Sequence, residues 1–471
     1  MALAPLVTGL ALLAWVIWVP SPIRAPAQGV VLTNVTIVNP GGERRGNQTL
    51  VVRGDAIDSI RATRPDDFVP PTRRYEGSYV LPGLIDMAAR LVPPPFDLRT
   101  FVGLLFLRSG VTSVRDTGDF PGDLQTMQRE VAAGELAWPR VFGCVRVLEG
   151  APPTCPRSRV VRDPADARAA VDEVARGGAS CIKVGHTFLT SLLGIVGEAA
   201  AEHRLPVVVA DAAAGALIGA VPAIEVEGGG APTPSEASGG GACDVSTAEP
   251  LRAADLARAR ATPFTYAPCI ASRARWLSLV DRQHGGEVPG AGVLPRLFLD
   301  ILWNPAAILP RLCVGPGAVD VTRNVISELR RAGVRLRAGG GCGLPLAVPG
   351  LGLQAELGEL ARSGLTLEEV WTVATRDAGD ALGVPMLGTL QDGAPADFLV
   401  FREDPTRAVA AVGTLEAVVA QGRLYPIPAL DRALMARHEF LRGPVIGWAL
   451  SLTARVLTWW KPVEYFDCQF L

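Results

Sequence analysis

Between positions 79 and 338 the sequence repeats one unit: a short apolar run, a turn, then an amphipathic stretch. The strand-like runs fall at 79–87, 112–117, 141–147, 179–184, 205–211, 223–227, 263–268 and 334–338. Helical periodicity fills most of the intervals, as at 163–176 and 321–332. Strands alternating with helical crossovers over such a length predict an α/β fold built on a TIM-like (β/α)8 barrel. The Gly-, Pro- and Ser-rich stretch 228–241 then reads as a long loop after the sixth strand, on the face where such barrels carry their sites.

A second pattern flanks the first. Period-two apolarity between Gly, Asn and Asp turns marks short strands at 30–38, 49–53 and 56–60, and again at 397–401 and 415–420. Two distant segments of one character predict a small composite β-sandwich, made of 23–78 and 387–426, with the barrel of 79–386 inserted between them.

The two ends carry much of the apolar excess that gives a mean hydropathy of +0.27. Residues 1–20 hold no charged side chain, so 1–22 reads as a transmembrane anchor, or as a signal segment ending near Ala25-Pro26-Ala27. Either reading exports the body, which places it at a bacterial inner membrane on the periplasmic side. Export suits eight cysteines without a Cys-x-x-Cys knuckle; they read either as disulfides, with Cys144–Cys155 the simplest pair, or as buried thiols. At the other end, 430–441 is an amphipathic helix carrying Arg432, Arg437 and Arg442. Beyond it, 444–460 is apolar apart from Arg455 and bears Trp448, Trp459 and Trp460. The extension 427–471 is therefore expected to lie on membrane lipid, or to pack against the barrel or another subunit. With 45 basic and 47 acidic side chains, no electrostatic footprint for nucleic acid exists.

The residues from Val80 to Met87 (Val-Leu-Pro-Gly-Leu-Ile-Asp-Met) resemble the first-strand signature of the amidohydrolase superfamily, in its imidazolonepropionase-like and prolidase-like branch. Further matches are Gly110-Val111-Thr112-Ser113-Val114-Arg115-Asp116, Ala374-Thr375-Arg376-Asp377-Ala378-Gly379, and Gly393-Ala394-Pro395-Ala396-Asp397, in family order. The resemblance implies a barrel holding one or two divalent metals, usually zinc, that activate water for attack on an amide or related bond.

The ligand set that the resemblance implies is missing from the sequence. Its His-x-His falls on Ala88-Ala89-Arg90; Lys183 survives on strand four; Ala210, or Asp211 one residue on, stands for the histidine of strand five. Val226 stands for that of strand six, and Gly341 for the aspartate of strand eight. Alanine, valine and glycine offer no donor, and Arg90 adds a fixed positive charge. Lys183 is expected to be a residue of the old site, paired with Asp211, Glu225 or Asp86, or else a metal-free nucleophile or base. A rearranged metal site would draw on His186, Asp211, Glu225, Glu227 and Cys342.

These readings lead to the expectation of a catalytically inactive barrel without metal or cofactor. It would serve as a structural subunit packed on integral membrane proteins of a larger assembly, such as a photosynthetic or respiratory complex. The termini and loop 228–241 would supply its contacts. Two rivals stay open: an exported metal-dependent amidohydrolase with an atypical site, and a metal-free small-molecule-binding protein.

Overall fold

A computed structural model describes residues 23–68, 74–91, 98–118, 123–153, 157–185, 187–210, 224–227, 264–272, 274–275, 318–342 and 347–443. The expected segments 1–22, 228–241 and 444–471 lie outside these residues, as do His186 and Asp211.

In chain order the strands open with β1 (Val30–Val38), β2 (Arg44–Arg53), β3 (Ala56–Ala62) and β4 (Tyr79–Pro82). Next come β5 (Leu84–Ala89), β6 (Val111–Asp116), β7 (Arg140–Gly143), β8 (Val147–Glu149), β9 (Arg159–Val160), β10 (Ile182–Val184), β11 (Val207–Ala210), β12 (Ile224–Glu227), β13 (Thr265–Ala267) and β14 (Arg335–Leu336). The last are β15 (Phe398–Phe401), β16 (Leu415–Ala420) and β17 (Arg423–Pro426). The helices include α1 (Leu98–Arg108), α2 (Pro164–Arg176), α3 (Leu351–Arg362) and α4 (Ile427–Arg442).

Strands from the two ends of the sequence share one seven-stranded sheet, ordered β17-β16-β15-β4-β1-β2-β3. Its joint is β4, parallel to β1 on one side and antiparallel to β15 on the other, with Leu81 opposite Leu399. Alternate residues Val35, Ile37, Leu50, Ile57, Phe398 and Val400 bury into one core, each contributing about 1.5–3 kcal/mol.

The remaining described strands run parallel in two groups, β5-β6-β7 and β14-β13-β12-β11-β10-β8-β9. Backbone hydrogen bonds tie the groups together at both margins. Met87 N donates to Ala338 O and Gly341 N to Ala88 O (both 3.0 Å), while Ser180 N donates to Gly143 O (2.8 Å). Helix α2 shows why the crossovers form where they do. Asp163 caps it by accepting from Asp166 N at 2.9 Å, Pro164 opens its first turn, and Ala167, Ala170, Val171 and Val174 line its buried stripe.

Two strand runs divide. The run 79–87 changes sheet at Gly83, where a Cβ would fall 2.0 Å from Thr112 Oγ1. The run 141–147 breaks at Val145, whose φ of 64° interrupts the extended backbone.

The described part of the C-terminal extension, 427–443, packs on the barrel, one of its expected alternatives; the apolar stretch 444–460 expected to meet lipid lies outside the described residues. Helix α4 packs on α1 through buried Ile427, Leu430, Leu434 and Leu441, and Asp431 pairs with Arg108. Its apolar stripe is covered by the body of the protein. Among the described residues no helix is long and apolar enough to cross a membrane.

One disulfide joins Cys144 to Cys181. The expected partner Cys155 lies outside the described residues. The Ser180–Gly143 backbone bond sets the two bonded cysteines side by side on neighbouring segments, a proximity that sequence distance conceals.

A buried charged cluster at the parallel strand ends

Parallel strands buried on both faces send alternate side chains toward the helices and toward the opposite strands. On β10, Ile182 and Val184 join the main apolar core, leaving Lys183 on the other face. On β12, Val226 joins that core at 0% exposure, so Glu225 and Glu227 share the face of Lys183. Val226 therefore does not stand at the site; Glu227 does. Ala210 ends β11 in register with Glu227.

Glu227 is the centre of the cluster. Lys183 Nζ donates to its Oε2, Thr117 Oγ1 donates to Oε1 at 2.9 Å, and Arg90 NH2 lies 3.6 Å from Oε1. Burial alone would raise this carboxyl, but the Lys183 ammonium and Arg90 guanidinium outweigh it and hold the group at about 2. Lys183 itself is lowered, since burial and the neighbouring cations Arg90 and Arg115 outweigh the pull of Glu227. The partner of Lys183 is thus Glu227; Glu225 and Asp86 have other roles.

Glu225 is taken by Arg115, whose NH1 donates to Oε2 at 2.9 Å and whose NH2 donates to Oε1. Arg115 Nε also donates to Met87 O at 3.0 Å, and its side chain is 1% exposed. Asp86 turns to backbone: its Oδ1 accepts from Gly340 N at 2.8 Å and from Ala88 N at 3.2 Å. Burial lifts its carboxyl to about 6 against those two bonds.

The glycine run at the end of the last parallel strand serves close packing. A Cβ on Gly340 would lie 2.5 Å from Asp86 Oδ2, and one on Gly339 would lie 2.6 Å from Ala88 Cβ. Gly341 has φ 60° and bonds to Ala88 O. Beside this turn, Glu356 of α3 accepts from Ala271 N at 2.8 Å, and burial pushes its carboxyl up to about 8. Cys269 and Cys342 are buried free thiols, both raised well above the usual value by burial.

The divalent metal that the sequence resemblance implies does not fit the described residues. Ala88, Val226 and Gly341 present no donor, and the carboxylate beside Lys183 is already neutralised by two cations. Among the described residues, no three His, Cys, Asp or Glu side chains converge as a metal would require.

Reading the sequence residue by residue missed Arg115 and Thr117 as members of the cluster. The available signal was a single arginine inside the otherwise uncharged run 111–115, which burial obliges to find a carboxylate.

No protein-family model matches the chain, and the search of curated proteins finds no match. Solved structures do match. A bottromycin amidohydrolase is 21% identical with a TM-score of 0.66, covering 88% of this chain and 91% of its own. An Xaa-Pro dipeptidase with methionine in its active site is 16% identical with a TM-score of 0.61, covering 84% and 100%. A molinate hydrolase is 16% identical with a TM-score of 0.58, covering 87% and 97%.

These likenesses correct the expectation of an inactive structural subunit held at a membrane. The three solved structures named above are hydrolases, matched over nearly their full lengths. The strand ends, moreover, are not emptied: they hold connected Lys, Arg and Glu side chains. The fold of this chain is that of the amidohydrolase superfamily.

Proposed function

We propose that this chain is an exported hydrolase of amide or related carbonyl bonds, with an atypical site built on Lys183, Glu227 and Arg90. The observation that carries the reading is the convergence of a lowered lysine and a buried guanidinium on one carboxylate, at the carboxyl ends of parallel strands. In this reading Lys183, unprotonated at the outset, takes a proton from the water that attacks the carbonyl carbon. It gives that proton to the amine that leaves as the C–N bond breaks. Arg90 stabilises the negative charge that develops on the carbonyl oxygen, and Glu227 positions both. The hydrogen bonds that join the parallel strands at both margins support one closed (β/α)8 barrel around the site. The Cys144–Cys181 disulfide supports an oxidising compartment.

The test is turnover of a panel of N-acyl amino acids, dipeptides and lactams by the full chain, with added zinc or manganese in one arm and chelator in another. Turnover that Lys183→Met abolishes supports the assignment. No turnover in any arm, or turnover indifferent to Lys183→Met, overturns it. A second reading, a metal-free small-molecule-binding protein, is favoured by the pairing of Lys183 and Glu227 within the cluster. It expects ligand-dependent thermal stabilisation by the same compounds without turnover.

A further inference from the structure

We infer that Arg337 lines a second binding site, whose occupant is a small oxyanion: a phosphate or a carboxylate. The inference does not depend on the hydrolase reading. Arg337 follows β14, is 4% exposed, and donates from NH1 to Leu336 O at 2.8 Å. Its Nε has no hydrogen-bond partner, and it forms no ion pair with a described carboxylate. The acids whose charge it senses are committed elsewhere. Glu225 gives both oxygens to Arg115, and Asp377 lies 3.5 Å from Arg376 Nε. Arg115 and Arg335 add positive charge to the same neighbourhood, and among the described residues no carboxylate pairs with Arg337 to offset it.

A guanidinium does not shed its proton in a protein, so burial cannot be relieved by neutralisation. Among the described residues the Nε–H of Arg337 has no partner, and the guanidinium carries its donors in the fork that fits the paired oxygens of a carboxylate or phosphate. Burial works against the charged form of Arg337, as expected of a cation whose counter-ion is not among the described residues.

The experiment titrates the full chain, by calorimetry and thermal shift, in a Bis-Tris buffer whose constant ionic strength is set with fluoride, which is not an oxyanion. Separate arms use inorganic phosphate, acetate and chloride. Saturable one-site binding of phosphate or acetate is expected, with the better of the two showing whether a tetrahedral or planar oxyanion is preferred. Arg337→Gln should weaken it at least ~10-fold, while Arg331→Gln, on the exposed surface, should leave it unchanged. Should Arg337→Gln fail to fold, Arg337→Lys keeps the charge, loses the fork, and should also weaken binding. Absence of saturable binding by the unaltered protein overturns the site. Response to chloride alone, or phosphate binding indifferent to both Arg337 variants, overturns it equally.

Discussion

Changing Glu225 to Gln removes the counter-charge of Arg115 where the two side chains are 4% and 1% exposed. One oxygen remains to accept a hydrogen bond, and Met87 O still accepts from Nε, but the guanidinium keeps its charge without the carboxylate it is bonded to. Removing one member of a buried ion pair costs about 3–5 kcal/mol, because the remaining charge has lost its partner and has not regained water. For a denaturant slope of about 1–3 kcal/mol/M, the urea midpoint should fall by roughly 1–5 M. Arg115→Met combined with Glu225→Leu discharges both positions at similar volume and should lie within about 1.5 kcal/mol of the parent. Urea unfolding followed by tryptophan fluorescence and far-ultraviolet circular dichroism measures all three proteins. A single variant with a midpoint within about 0.3 M of the parent, or a double variant as unstable as the single one, would refute the reasoning.

Glu356 makes stability depend on pH. Its carboxyl titrates at about 8 when folded, against 4.5 for an unburied glutamate, so this contribution is fully present below 4.5 and lost as pH rises through 8. Glu356→Gln should therefore flatten the decline in Tm between pH 5 and pH 8, and identical profiles would count against the buried acid. Gly340→Ala should cost about 1–3 kcal/mol, since the added methyl meets Asp86 Oδ2 at 2.5 Å and Leu353 N at 2.8 Å; an unchanged Tm would show that the turn yields freely. Replacing both Cys144 and Cys181 by Ala opens a loop with a sequence separation of 37 and should cost about 4 kcal/mol. Peptide mapping without reductant should recover the 144–181 cross-link, and a 144–155 link in its place would contradict the pairing.

Strand and helix positions were largely legible because they rest on local periodicity. The run 163–176 carries its own cap, its opening proline and its buried stripe within a few residues. Which face of a strand points where was not legible. Ile224, Glu225, Val226 and Glu227 are all buried, so no alternation of exposure distinguishes the two faces. Only the pairing of Glu227 with Lys183 and of Glu225 with Arg115 separates these residues from Val226, and those partners lie far away in sequence. The same limit governs the disulfide, where a short loop suggested Cys155 and sheet neighbourhood selects Cys181. Glycine at 339–341 read as the loss of a ligand, whereas its packing role depends on how closely Asp86 and Ala88 approach.

The place of β4 between β1 and β15 has a consequence for how the chain is made. When Tyr79–Pro82 leaves the ribosome, β1 can pair with one of its edges, but the strand that covers the other edge is synthesised roughly 300 residues later, ~15–60 s at ordinary elongation rates. Throughout that interval an apolar edge stands open to any other extended segment, including one from a second nascent copy. Premature termination anywhere before Phe398 thus yields an adhesive fragment in place of a shorter soluble protein, and the cell must shelter the first sheet until its last strands arrive.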